Sequence, residues 1–188
     1  MKVRDSGMPD ETIWEGFFNP ELIIEKLFGR SLKGNAAEFG CGYGTFTGEI
    51  ARRTEGRLYA FDIEAGMLER VKERVKEVSN VELLLRDIEN EGTGLPDMSI
   101  DSVALFNILH GHDPLRLLNE AFRILKPGGK ASAIHWNYDP STPRGPEMSI
   151  RPKPEDIQEW IKKAGFEVSP VIDLPPYHYG VTGIKTVK

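Results

Sequence analysis

Asn35-Ala36-Ala37-Glu38-Phe39-Gly40-Cys41-Gly42-Tyr43-Gly44-Thr45-Phe46-Thr47 is the stretch that decides the fold. A short apolar run reaches a carboxylate, glycines then fall on alternate positions, and helical spacing begins at Phe46, Ile50 and Ala51. That order spells a strand, a tight turn and a helix start. Glycine tolerates positive φ and lets a ligand lie against bare backbone. The free N–H groups of a helix start favour a carboxylate or phosphate. A dinucleotide fingerprint, G-x-G-x-x-G, would place its third glycine at position 45 or 47, depending on register. Those positions hold Thr45 and Thr47, so a nicotinamide-dependent oxidoreductase is disfavoured. What stands instead is Glu38-x-Gly40-x-Gly42-x-Gly44. The plainer alternative is a turn that only packs a helix on a sheet.

On either side, strand and helix patterns alternate. Asn19-Pro20-Glu21 is a helix start, a cap followed by proline, and Leu22, Ile23, Leu27 and Phe28 form its stripe up to Gly29. Beyond the glycine turn a helix is expected over 45–54, a strand over 57–63, a helix over 66–79 and a strand over 81–87. A loop follows over 91–97, then an apolar strand over 100–107, as a central parallel strand should be. Asp113-Pro114 opens another helix, ending at Lys126-Pro127-Gly128-Gly129 before a strand over 130–136. The proline-rich 137–153 reads as a loop, 154–164 as a helix, and 166–174 and 180–187 as two last strands. The expected architecture is α/β: a doubly wound, mostly parallel, seven-stranded sheet with an antiparallel edge strand and helices on both faces. Residues 1–188 read as a single domain, with 1–30 as an N-terminal docking or lid segment carrying Trp14, Phe17 and Phe18, and 137–153 as a candidate substrate cover.

In an open α/β sheet the ligand sits beyond the carboxyl ends of the strands, at the switch point. The first three strands end in Glu38, Asp62 and Asp87. One acid there is an ordinary cap; three in succession behind a glycine turn suggest a site. Asp62 falls where a ribose-binding acid is expected.

Taken together, these motifs resemble the class I S-adenosylmethionine (SAM)-dependent methyltransferases. Glu38-x-Gly40-x-Gly42-x-Gly44 is similar to their first motif, Asp62-Ile63-Glu64-Ala65-Gly66-Met67-Leu68 to the second, and Arg86-Asp87-Ile88 to the third. Ile100 to His110 is similar to the fourth, and Glu120 to Gly129 to the segment after it. The resemblance runs from about residue 34 to 135 and is nearest the small-molecule branch that includes ubiquinone/menaquinone-type enzymes. It implies a methyltransferase that uses SAM, leaves S-adenosylhomocysteine (SAH) and acts on a small molecule. It implies that Glu38 and the Gly40–Gly44 backbone, including Cys41 and Gly42, hold the methionine end. By the same resemblance Asp62 takes the ribose hydroxyls, Ile63 packs on the adenine, Asp87 and Ile88 read its edge, and Asn107 contributes its backbone carbonyl. Glu64 departs from the pattern, which often has a small hydroxyl residue there.

Candidate chemistry beyond the cofactor is sparser. His110 follows the fourth strand and is the candidate base, if the acceptor carries a proton that must leave. His135, at the end of the fifth, is a second cleft candidate. His112 could pair with His110 on a metal, but no third ligand is apparent, and no metal is expected. Trp136, Tyr138, Arg144 and Arg151 could seat an anionic or planar acceptor. Pro175-Pro176-Tyr177 reads as a stiff connector. The rival reading is a non-catalytic SAM/SAH-binding module or regulatory subunit.

Composition bounds the rest. The chain has 188 residues, a net charge of −5 and one cysteine, Cys41. Acidity argues against nucleic acid as partner, and no apolar run approaches the ~20 residues of a membrane span. A lone thiol without a secretory signal suits the cytoplasm. The oligomeric state is open.

Overall fold

The computed structural model describes residues 9–186; residues 1–8 of the expected N-terminal segment, and the end of the last expected strand at 187, lie outside the described residues. One sheet organises them. Its strands are β1 (Ala36–Phe39), β2 (Leu58–Asp62), β3 (Val81–Leu85), β4 (Ile100–Phe106), β5 (Leu125–Trp136), β6 (Glu167–Val168), β7 (Ile172–Leu174) and β8 (His178–Ile184). The spatial order is β3-β2-β1-β4-β5-β8-β6, and β7 also pairs with β8. β1 to β5 are parallel, and β8 runs antiparallel to its neighbours. The expected strand over 166–174 is two short pieces, β6 and β7, with Pro170 between them. Proline donates no ladder hydrogen bond, so an edge is where this interruption is tolerated.

The period of two sorts side chains onto both faces. Ala37, Phe39, Phe61, Val103, Leu105, Ala133 and Val181 point to one side, under α6 (Pro114–Ile124) and α7 (Pro154–Lys163), which contribute Leu118, Ala121, Ile157 and Ile161. Ala36, Leu58, Ala104, Phe106 and Ile134 point to the other, under α2 (Pro20–Phe28) and α3 (Thr47–Arg53). α4 (Ala65–Arg74) adds Val71 beside Ala60 and Cys41. The helix starts are set by the expected caps: Asn19 Oδ1 accepts from Leu22 N–H at 3.1 Å, and Asp113 Oδ1 from Leu115 N–H at 3.2 Å.

Four segments differ from the sequence reading. α4 ends at Arg74 rather than near 79; Val75 and Val78 still pack against its cluster, which is why the apolar period ran on. Short helices α1 (Glu11–Glu15) and α5 (Ile88–Glu91) occupy stretches without a long period to reveal them. β5 begins at Leu125, because Ile100 pairs with Leu125 before the ladder shifts to Ser102 and Lys130. The intervening Pro127-Gly128-Gly129 is absorbed as an irregularity.

Candidate functional site

Strand order reverses between β1 and β4, so the chain leaves these two strands in opposite lateral directions and opens a crevice at their carboxyl ends. The glycine turn leaves β1 there. Gly44 N–H donates to Cys41 O at 2.9 Å, closing the turn, and Cys41 N–H donates to Phe61 O at 2.9 Å, tying it to β2. Gly40 has φ +71, and a Cβ there would stand 3.0 Å from Ile108 Cγ2. Gly44 has φ +78 and the same conflict with Val71, at 3.1 Å. Both conditions exclude a side chain without strain.

The cavity beyond these strands is lined by Glu38, the turn from Gly40 to Tyr43, Asp62 to Glu64, Asp87, Ile88 and Asn107, with Trp14 and Phe46 on one wall. The expected cofactor residues are therefore brought together. Glu38, only 2 % exposed, accepts from the Thr47 hydroxyl at 2.7 Å. Burial, with Asp62 nearby, pushes its carboxyl up to about 8. Asp62 is also raised by burial; its Oδ2 accepts from Gly42 N–H at 2.8 Å and its Oδ1 from Glu64 N–H at 2.9 Å. The Ile63 N–H adds to these two, and the carboxylate's four acceptor positions still leave room for a further donor. Asp87 caps α5, accepting from the Asn90 backbone and side-chain N–H groups. Burial raises the Cys41 thiol, with Glu38 and Asp62 adding to it, so the sulfur stays protonated and inert.

Asn107 has φ +56 and donates its N–H to Ile134 O at 2.9 Å. Both polar atoms of its buried amide, and the Thr45 hydroxyl, have no hydrogen-bond partner among the described residues. Such orphans are rare inside proteins and point to a ligand. Glu38 has no cation among the causes that shift it. A ligand carrying positive charge, a carboxylate for the turn's N–H groups and hydroxyls for Asp62 fits this donor and acceptor set. SAM has that composition; no pyrophosphate is called for.

The histidines lie elsewhere. His135, expected in the cleft, is fully buried: it contributes no exposed surface and does not line the cavity, because its strand position turns it toward Tyr179. Burial, then the nearby His110, holds its pKa well below the usual value. His135 Nδ1 accepts from Trp136 N–H at 3.0 Å, which puts its proton on Nε2. That nitrogen faces His110 Nδ1 at 3.1 Å, leaving His110 the Nε2–H tautomer. His110 is 5 % exposed and outside the cavity lining, while His112 is exposed. Among the described residues no three His, Cys, Asp or Glu side chains converge as a metal site.

Trp136, Tyr138, Arg144 and Arg151 do not form one wall. Trp136 is buried, Tyr138 and Arg144 are exposed, and Arg151 turns inward. Its guanidinium donates to the carbonyls of Asn137, Asp139, Arg144 and Pro146 and to the Thr142 hydroxyl, so it fastens the loop 137–153. Sequence reasoning missed Thr45 and Thr47, polar residues inside the motif itself, and Trp14 as a cavity wall. No membrane-crossing helix is present among the described residues.

Residues 37–133 match the family described as methyltransferase domain. Over 174 residues the chain is 27% identical to a protein of Mycolicibacterium smegmatis named as a probable SAM-dependent methyltransferase, covering 89% of this chain and 65% of that one. A demethylmenaquinone methyltransferase of a Geobacillus species is 31% identical, over 50% of this chain and 42% of its own length. The chain thus spans less than two thirds of either relative. The crystal structure of a SAM-dependent methyltransferase from Aquifex aeolicus superposes with a TM-score of 0.82, at 25% identity and 94% coverage of both chains. With the glycine turn, the acidic strand ends and the family match on the same residues, this chain belongs to the class I SAM-dependent methyltransferase family.

Proposed function

We propose that this chain transfers a methyl group from SAM to a small-molecule acceptor, in the cytoplasm and as a single domain. The observation that carries the reading is the Asn107 amide, buried and unpartnered among the described residues, lining the same cavity as a Glu38 that no cation compensates. The cofactor supplies an activated methyl on a sulfonium, so alignment is most of the protein's task. Glu38 and the Asn107 carbonyl take the ammonium end, and the N–H groups of the Gly40–Gly44 turn take the carboxylate. Asp62 accepts from the ribose hydroxyls while its bonds to Gly42 and Glu64 hold it in place. Ile63, which is 39% exposed, packs on the base, whose edge meets Asp87 and Ile88. No proton transfer is assigned to His110 or His135, since neither lines the cavity.

Calorimetric titration with SAM and SAH tests the site, and transfer of labelled methyl from SAM to a cell extract tests the activity. No binding of either nucleoside would remove the reading. Binding without any transfer would favour a sensor or partner subunit.

A further inference from the structure

Trp136 and His178 face each other across one register pair of β5 and β8, with ring centroids 4.3 Å apart and no exposed surface on either. Among the described residues, neither ring nitrogen of His178 nor Nε1 of Trp136 has a hydrogen-bond partner. Buried polar atoms almost always find one, and an orphan costs its desolvation. Three orphans in contact form a patch without a structural reason of its own.

What covers the patch is the N-terminal strap. The Phe18 ring lies 4.4 Å from that of His178 and 5.1 Å from that of Phe46; Phe17 lies 5.2 Å and Trp14 6.3 Å from Trp136. Trp14 and Phe46 also line the cofactor cavity. The strap's rings therefore stand between the cavity and the patch. At its other end the strap is latched by Glu11 and Glu15 to Arg70 and Arg74 and by the Tyr43 hydroxyl to Pro9 O, at the surface. Such pairs are weak and screened by salt.

We propose that Trp136 and His178 are the floor of an acceptor subsite, continuous with the cofactor cavity once the strap swings aside, whose occupant is a flat, uncharged aromatic ring bearing a hydroxyl. The proposal rests on the methyltransferase reading. Neutral imidazole offers one lone pair and one N–H, and indole offers one N–H. A phenolic O–H donates to the imidazole while its oxygen accepts from the indole. Tyr177, stacked 6.2 Å from Trp136 at 22°, with Phe17 at Trp136 and Phe18 at His178, makes the surroundings of the pair aromatic and apolar, as a flat ring requires. His178 is held at about 3 by burial and then by Arg151, so it stays neutral and offers an anion no charge of its own. The Arg151 donors already serve the loop carbonyls.

Equilibrium dialysis of 2-naphthol, naphthalene and 2-naphthoate against the protein, with and without SAH, tests this. 2-Naphthol is expected to bind at least ten-fold more tightly than either of the others. His178→Phe keeps the ring's bulk and removes both nitrogens; it should bring 2-naphthol down to the naphthalene level without changing the SAH dissociation constant. Trp136→Phe, read the same way, is the second variant should the first fold poorly. Equal binding of 2-naphthol and naphthalene, tightest binding of 2-naphthoate, or unchanged selectivity in the folded variant would overturn the subsite. Should SAH fail to bind, the methyltransferase reading falls, while the dialysis without SAH still decides the floor's chemistry.

Discussion

The Glu38 carboxylate accepts a hydrogen bond from the Thr47 hydroxyl at 2.7 Å, joining the tip of β1 to the first turn of α3 directly beneath the glycine turn. That bond is too little to keep a fully buried carboxylate ionised, since desolvation outweighs it and no cation adds to it. A protein without ligand thus holds an acid ready for a positively charged partner.

Glu38 also makes the stability of the ligand-free protein depend on pH. Burial raises Glu38 from 4.5 to about 8, so between those values the folded chain binds more protons than the unfolded one. Stability of the ligand-free protein should therefore fall as pH rises through this window, by on the order of 1 kcal/mol per pH unit at most. Glu38→Gln cannot titrate and should lose that slope. Urea unfolding of both proteins from pH 5 to 8 measures it. A stability difference that stays constant across the range would mean Glu38 titrates as an ordinary carboxyl.

Asp62 has two tasks at once. Its oxygens accept from Gly42 and Glu64 N–H groups, and it lines the cavity in which the ribose is proposed to lie. Asp62→Ala should weaken SAH at least ten-fold and cost about 1.5–3 kcal/mol of stability through the lost charge-assisted bonds. Asp62→Asn should be intermediate in both, since the amide keeps one acceptor. Calorimetry and urea unfolding report the two effects separately. An unchanged SAH dissociation constant for Asp62→Ala would move the ribose elsewhere.

Why so much of the candidate site was legible follows from parallel topology. Strands that run the same way end on the same edge, so Glu38, Asp62 and Asp87, far apart in the chain, converge once the order of strands and helices is known. Local spacing then suffices. The packing under the N-terminal strap has no such rule. Trp14 and Phe18 reach Trp136 and His178 through a tertiary contact that no periodicity encodes. His135 looked accessible because strand ends usually are, yet β8 and its Tyr179 lie against it. Arg151 looked like an anion receptor because arginines in loops commonly face solvent. Its turn inward depends on several carbonyls of 137–146 converging, which a sequence does not display.

Arg151→Lys tests that role. Lysine keeps the charge but offers three donors from one point, against a planar fork that reaches several carbonyls. The substitution should cost about 2–4 kcal/mol, the scale of a buried network left partly unsatisfied. Chymotryptic cleavage after Tyr138 should quicken as the loop loosens. Wild-type resistance in the lysine variant would show that the loop is held by something other than the guanidinium.

Surface charge and buried ring packing both hold the N-terminal strap down. Arg74 pairs with Glu11 and Glu15 at the surface, where its side chain is 31% exposed. Pairs of that kind contribute about 0–1 kcal/mol and lose part of it in salt. Trp14 is 7% exposed and packs on Phe18 at 5.0 Å and Trp136 at 6.3 Å. Truncating a buried tryptophan costs about 3–5 kcal/mol when its surroundings cannot collapse. Trp14→Ala should therefore destabilise the chain several times more than Arg74→Ala, and only the effect of Arg74→Ala should shrink in molar salt. Urea unfolding of each variant at low and high salt compares them. Similar losses from the two substitutions would mean that charge, rather than ring packing, fixes the strap.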